Sequence, residues 1–408
     1  MSKGRDATKR SAALLMPVYV PTALLAFGQG LLVPTLPYYA SSLGAPKALI
    51  GLIVAAAGLG TLLMDVPAGA LLSRIGRRPA MLIGAGLVGL TSVFAAFLPS
   101  IAALIILRLL AGVGTALWGI SRHAYITDAI TPAQRGRSIS IFGGINRGGT
   151  LIAPFFGGII AQAFGLQASL LAAGIMALLT AVLAFYFIPE TGDTHQAVTT
   201  GHKMRWAIVG QLLRTHRRDL SAAGVAQIFA QLIRAGRQLL IPLYGISLGL
   251  DIAATSSIIS LSAILDVAMF IPAGVMMDRF GRKVAAVPSF AIMAVGMVVV
   301  AAAFDFRSLL IGAMVIGFGN GLGSGTMMTL GADLAPPGAV GEFLGFWRLI
   351  GDTGSSGGPL VVGAVAGAFG VISTALLLGG IGAAAALTLA FLVRETRSVP
   401  IPTTTPGD

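Results

Sequence analysis

The chain has no cysteine and four scattered histidines, His123, His195, His202 and His216. Disulfides, thiolate metal sites and cysteine nucleophiles are thereby excluded, and the histidines show no metal-ligand spacing. Charge is scarce too. Of 408 residues 10% are Asp, Glu, Lys or Arg and 56% are hydrophobic, whereas about a quarter of an ordinary soluble domain is charged. A soluble globule of this composition would have more apolar surface than its interior can hide, so a soluble enzyme is excluded. Acidic residues are the rarest of the charged groups: 15 Asp and Glu against 27 Lys and Arg leave a formal net charge of +12. Nucleic-acid binding would require a basic face with supporting polar surface. None is present, and no nucleic-acid partner is expected.

What fills the sequence instead is a succession of apolar runs of about 20 residues, the length that crosses a bilayer's hydrocarbon core. Broken at Pro, Gly and charge clusters, they predict twelve helices. Six fall near 14–38, 48–71, 80–97, 101–125, 138–164 and 167–188. Six more fall near 220–248, 253–276, 284–304, 308–330, 343–369 and 371–393. The expected fold class is therefore an all-α membrane protein of two six-helix halves, 14–188 and 220–393. A polar linker, 189–219, joins them, and tails cover 1–13 and 394–408. The basic start Met1–Ala13 runs into an apolar segment without a small-residue cleavage site and reads as a tail rather than a signal peptide. Most Lys and Arg lie in the tails, the linker and every second loop, while the opposite loops hold only Lys47 and Arg307. Positive loops stay cytoplasmic, which predicts a multi-pass cell-membrane protein with both termini inside.

An internal repeat organises the chain. An offset of 205 carries Gly69, Arg74, Gly76 and Arg77 onto Gly274, Arg279, Gly281 and Arg282. The same offset carries Asp128, Pro132, Gly136, Pro154 and Gly158 onto Asp333, Pro337, Gly341, Pro359 and Gly363. Glycine matches alone would arise by chance; a charged Gly-x4-Arg-x-Gly-Arg pattern and paired prolines at one offset would not.

The segment Gly69-Ala70-Leu71-Leu72-Ser73-Arg74-Ile75-Gly76-Arg77-Arg78 and its repeat Gly274-Val275-Met276-Met277-Asp278-Arg279-Phe280-Gly281-Arg282-Lys283 resemble the G-x-L-A-D-R-x-G-R-[RK] loop of the major facilitator superfamily. The pattern is nearest to its twelve-helix drug:proton antiporters. Glycine permits the tight turn, and the basic cluster anchors the loop at an anionic leaflet. Ser73 stands where the family has an acid, so the inter-half latch attributed to that acid is either missing or carried by another residue. Arg108, Gly112 and Gly114 resemble the family's R-x-x-x-G-x-G element, in which the resemblance implies a role in proton transfer. Gly149, Ala153, Pro154, Gly157 and Gly158 resemble its antiporter element, with Ala153 replacing a glycine.

Ionised groups inside apolar helices are costly unless they face a cavity or a partner. Helix counting places Asp65 level with Arg348, and Asp266 level with Arg147. In the family fold these pairs face each other across the halves, so they are expected gate pairs at the cytoplasmic end. Asp352 joins Asp65 and Asp266 as a candidate proton carrier. Gln227, Gln231, Arg234, Arg237 and Gln238 form a polar stripe on helix seven; with Gln29 and with Asn320 on glycine-rich helix ten they are expected to line a substrate cavity. The expected activity is proton-coupled export of small organic or drug-like molecules by alternating access. Uptake of an organic anion or sugar is the alternative, since arginines outnumber the buried acids. No cofactor is expected beyond the proton gradient; the expected partners are a small-molecule substrate and the bilayer, with the protein a monomer. A membrane-embedded enzyme would need convergent catalytic groups and a sensor a sizeable soluble domain. Neither is present.

Overall fold

The computed structural model describes residues 15–129, 132–188, 210, 217–336 and 339–396. The expected tail 1–13 and nearly all of the linker 189–219 lie outside them. Helices α1 (Val20–Ser42, preceded by a π turn at Leu15–Tyr19), α2 (Lys47–Ile75), α3 (Arg77–Phe97), α4 (Ile101–Ala129), α5 (Pro132–Phe164) and α6 (Leu166–Phe187) make the first half. The second half begins with α7 (Arg217–Ser247), and α8 follows in two pieces, Ile252–Ala268 and Phe270–Phe280. After α9 (Arg282–Ala301), α10 is also divided, into Phe306–Leu322 and Thr326–Leu334. One long helix, Val340–Leu387, breaks at Gly370 (φ 84°) into α11 (340–369) and α12 (371–387), which runs on into a π turn at Thr388–Leu392. The apolar runs set these lengths. The two basic-loop reversals each use a residue without a Cβ: Gly76 (φ 84°) between α2 and α3, and its repeat mate Gly281 (φ 105°) between α8 and α9.

Nine of these helical spans are long and apolar enough to cross a membrane, and α5 contributes a shorter apolar stretch, Leu151–Phe164. In lipid, helices associate by close packing, so small residues occupy the contacts. Within the first half α2 and α4 meet where Gly60 faces the Leu109 carbonyl and Gly112 faces that of Ala57; in the second half Gly317 brings α10 against Ser262 of α8. Gly112 and Gly317 are 205 residues apart, so the repeat is one of packing as well as sequence.

The halves touch through α2 on α11 and α5 on α8. Gly51 lies against Gly363, and Gly158 against Ser256. These contacts are images of each other: the offset turns 51 into 256 and 158 into 363. At the same end the Tyr38 hydroxyl donates to the Leu250 carbonyl (2.9 Å) and shares a hydrogen bond with Thr255 Oγ1 (2.7 Å). Toward the basic loops no such glycine contact joins the halves among the described residues. Gly69, Gly144, Gly148, Gly274, Gly341 and Gly345 all have open space where a Cβ would stand.

Candidate functional site

Between the halves, at mid-helix depth, lies a cavity of about 640 Å³, inside the range of roughly 300–1,000 Å³ common for small-molecule sites. Helices of both halves line it, mostly with apolar side chains. Its polar groups are few and placed by the repeat. Asp266 and Asn320 of the second half stand where the first half has Thr61 and Thr115, and Arg237 and Gln238 stand where it has Leu32 and Val33; all eight line the cavity. Gln29, Ser92, Arg108, Ser262, Ser355 and Ser356 complete the polar lining among the described residues.

The second-half groups form one cluster. Arg237 Nη2 donates to Asp266 Oδ2 at 3.0 Å, and Asn320 Nδ2 donates to the same oxygen. The other carboxylate oxygen, Oδ1, is buried with no protein partner, as are Asn320 Oδ1 and Arg237 Nε. Asp266 was expected to face Arg147 across the halves. The structure holds it within its own half, because α7 and α8 are neighbours and Arg237 points at the C-terminal turn of α8's first piece. The Arg147 side chain lies outside the described residues.

Arg108 on α4 is different. Its Nε is buried without a partner, and among the described residues no carboxylate lies within 4 Å of its guanidinium. Of the cavity's charged lining residues, Arg108, Arg237 and Asp266, two are cations and one is an anion. Polar contacts in the first half are modest: Gln29 Nε2 reaches Thr115 Oγ1 at 3.5 Å, and Thr61 Oγ1 donates to the Gly112 carbonyl at 3.1 Å.

The rest of the expected stripe on α7 does not reach the cavity. Gln227 is buried, with its amide filling the notch at Gly351 of α11, and Gln231 packs beside Gly354. Arg234 turns toward the break in α10, donating to the Gly323 carbonyl at 2.7 Å with its guanidinium 5.1 Å from the Phe290 ring centroid. Close packing of α7 on α11 takes the amides that spacing alone assigned to a wet face. Thr61 and Thr115, by contrast, were missed, although applying the offset to Asp266 and Asn320 finds both.

Nearer the basic end, Arg348 of α11 bridges to Asp352 one turn along at 3.5 Å, with the arginine side chain 53% exposed. Asp65 of α2 lies close enough to feel the Arg348 charge, though no ion pair within 4 Å joins them. The expected pair Asp65–Arg348 is therefore near but not made while this end stands open. In the second basic loop Arg282 Nε bridges to Asp333 Oδ2 at 2.9 Å, and its Nη1 lies 3.9 Å from Asp278 Oδ1. Glu395 accepts from the backbone N–H groups of Arg282 (2.9 Å) and Lys283 (3.0 Å), capping α9. In the first loop Arg78 donates to the Phe185 carbonyl at 2.7 Å and stacks on that ring, while Arg74 and Arg77 sit at the α2–α3 turn.

Comparison with known proteins agrees with this architecture. The family model for the Major Facilitator Superfamily matches residues 19–233 and again 223–407. The multi-drug resistance efflux pump PmrA of Streptococcus pneumoniae is 26% identical over 361 residues, covering 83% of this chain and 86% of its own. An uncharacterised MFS-type transporter of Methanocaldococcus jannaschii is 24% identical over 332 residues, 81% of this chain and 85% of its own. Among solved structures, a crystallised variant of the nucleoside transporter NupG superposes with a TM-score of 0.78 at 14% identity, covering 94% of this chain and all of that one. A D-xylose–proton symporter gives 0.76 at 20% identity, with 93% and 98% covered; at such identities the likeness is one of fold. The two matching halves, the all-helical membrane fold and the resemblance to drug antiporters agree: the chain is no enzyme but a multi-pass membrane transporter, and it belongs to the major facilitator superfamily.

Proposed function

We propose that this transporter exports small organic, drug-like molecules in exchange for protons, by rocking its halves about the central cavity. One observation carries the reading: a cavity lined by both halves holds the Arg237–Asp266–Asn320 cluster at mid-helix depth, while the glycine contacts Gly51–Gly363 and Gly158–Ser256 join the halves at the end away from the basic loops. A site of this kind serves alternating access when each end can close in turn. Positive loops remain cytoplasmic, so we place the basic loops, both termini and the open mouth on the cytoplasmic face of the cell membrane. The structure then corresponds to the inward-open state.

In that state Asp266 is bridged to Arg237, the arrangement an exporter would hold after releasing its proton and before taking substrate. On closure of the basic end, Arg348 leaves Asp352 for Asp65 and latches α2 to α11, the role that Ser73 cannot fill. Asp266 is the proton carrier in this scheme, with Asp65 and Asp352 serving the gate. Support for export comes from the named efflux pump among the relatives and from the Pro154 and Gly157-Gly158 element, where α5 carries an internal proline and Gly158 meets Ser256 of α8. The protein works as a monomer without a cofactor, drawing energy from the proton gradient.

The test is purified protein in proteoliposomes with an imposed pH gradient, screening neutral, anionic and cationic compounds. Export predicts substrate movement opposite to proton movement, with D266N retaining binding but losing the dependence on the gradient. Movement of substrate together with protons would replace exchange by cotransport, and flux unaffected by D266N would remove Asp266 from the coupling.

A further inference from the structure

The arginine that the cavity leaves without a counter-charge defines what enters it. Arg108 projects from α4 into a chamber whose only lining carboxylate among the described residues, Asp266, is already engaged by Arg237 and Asn320. Among the described residues its own half supplies no acid to the cavity lining: the position related by the repeat to Asp266 is Thr61. Asp128 shares α4 with Arg108 but lies 20 residues further along, about 30 Å at 1.5 Å per residue. Asp65 and Asp352 lie outside the cavity lining, beside Arg348. A guanidinium has five donors in a planar fork that matches a carboxylate or sulfonate, and a charge at this depth is costly while unpaired.

We propose that the ligand is an amphipathic organic monoanion, whose carboxylate or sulfonate docks on Arg108 while its apolar body lies along the largely hydrophobic wall of the cavity. Bound anion and Arg108 cancel, and Arg237 and Asp266 already cancel, so the loaded cavity is neutral and can be sealed from water at both ends. A cation would leave two excess positive charges. A neutral molecule would leave the guanidinium unmatched. The inference rests on the cavity being the transport site, and not on export or on proton exchange.

Three naphthalene probes of similar shape test it on the purified full-length chain by calorimetric titration: naphthalene-2-sulfonate, the neutral naphthalene-2-sulfonamide and the trimethyl-2-naphthylammonium cation. The expected order is sulfonate tightest, by tenfold or more over the sulfonamide, with the ammonium weakest. R108Q should cost the sulfonate tenfold or more in affinity and the sulfonamide less than threefold, while R108K keeps part of the preference. The proposal is overturned by an ammonium that binds as well as the sulfonate, by equal losses for all three probes in R108Q, or by no sulfonate binding at millimolar concentration. Should R108Q not fold, the order of the three probes on the native chain and on R108K decides. Sulfonate binding through Arg108 with no proton-dependent flux would leave this inference standing and remove the exchange reading. Proton-driven flux of the ammonium alone would do the reverse.

Discussion

Replacing Gly51 by alanine should drive the protein out of the conformation described above. A Cβ at Gly51 would lie 2.6 Å from the Gly363 Cα and 2.6 Å from the Pro359 carbonyl oxygen. Carbon atoms in contact prefer about 3.5–4.0 Å, so α2 and α11 must separate by roughly 1 Å at this end. The atoms met are backbone and cannot turn aside. Overpacking of this kind costs about 1–3 kcal/mol, and at ~1.4 kcal/mol per tenfold the state joined at this end should lose population by a factor of roughly 5–150. Each half packs internally through other contacts, so the cost falls on one conformation and not on folding. Because the chain has no cysteine, spin labels can be placed without background at Gly69 and Gly345, both of which open onto free space. Electron–electron resonance should show the distance between them shortening in G51A as the basic end closes. A folded G51A with an unchanged distance distribution would refute the claim that this glycine contact holds the end shut.

Other perturbations probe the remaining contacts. D266A should lower the thermal midpoint more than D266N, since an amide oxygen still accepts from Arg237, and D266A/R237A should be no less stable than D266A alone; thermal unfolding in detergent reads both. E395A removes the two-bond cap on α9 and should destabilise that end by ~1 kcal/mol, exposing the chain at Arg394 to trypsin sooner than in the native protein. Asp305 caps α10 outside the membrane, and its hydrogen bonds from Ser308 hold its carboxyl below the usual range. A depressed folded value means that the stabilisation is full above the unfolded pKa near ~4 and is lost as pH falls through the folded value. The midpoint of D305N should lack that acid-side loss.

Much of the fold was legible because hydrocarbon thickness fixes helix length and the repeat fixes correspondence. The expected spans 101–125 and 371–393 differ from the observed helices only at their ends. The interruptions in α8 at Met269 and in α10 at 323–325 left no comparable mark: Met269 is an ordinary helix former, and the glycines of α10 read equally well as packing residues. Side-chain pairing was harder. Counting along a helix gives depth, which brought Asp65 and Arg348 to one level, but partner choice depends on rotation about the axis and on which helix is adjacent. Asp266 therefore found Arg237 on neighbouring α7. The amides of Gln227 and Gln231 went to glycine notches of α11 that become visible only once the helices are packed.

The Arg108 guanidinium in the cavity has an electrical consequence. The voltage across a membrane drops over whichever end of the protein is sealed, so exchanging the sealed end sweeps that drop past a stationary Arg108. Doing so with an empty chamber whose Arg237–Asp266 pair is intact is equivalent to transferring one elementary charge, worth about 2.3 kcal/mol per 100 mV, or nearly fiftyfold in an equilibrium. A chamber neutralised by its anionic cargo transfers none in the same step. The vacant carrier should therefore display a capacitive current in a patch or on a supported bilayer, and cargo should silence it.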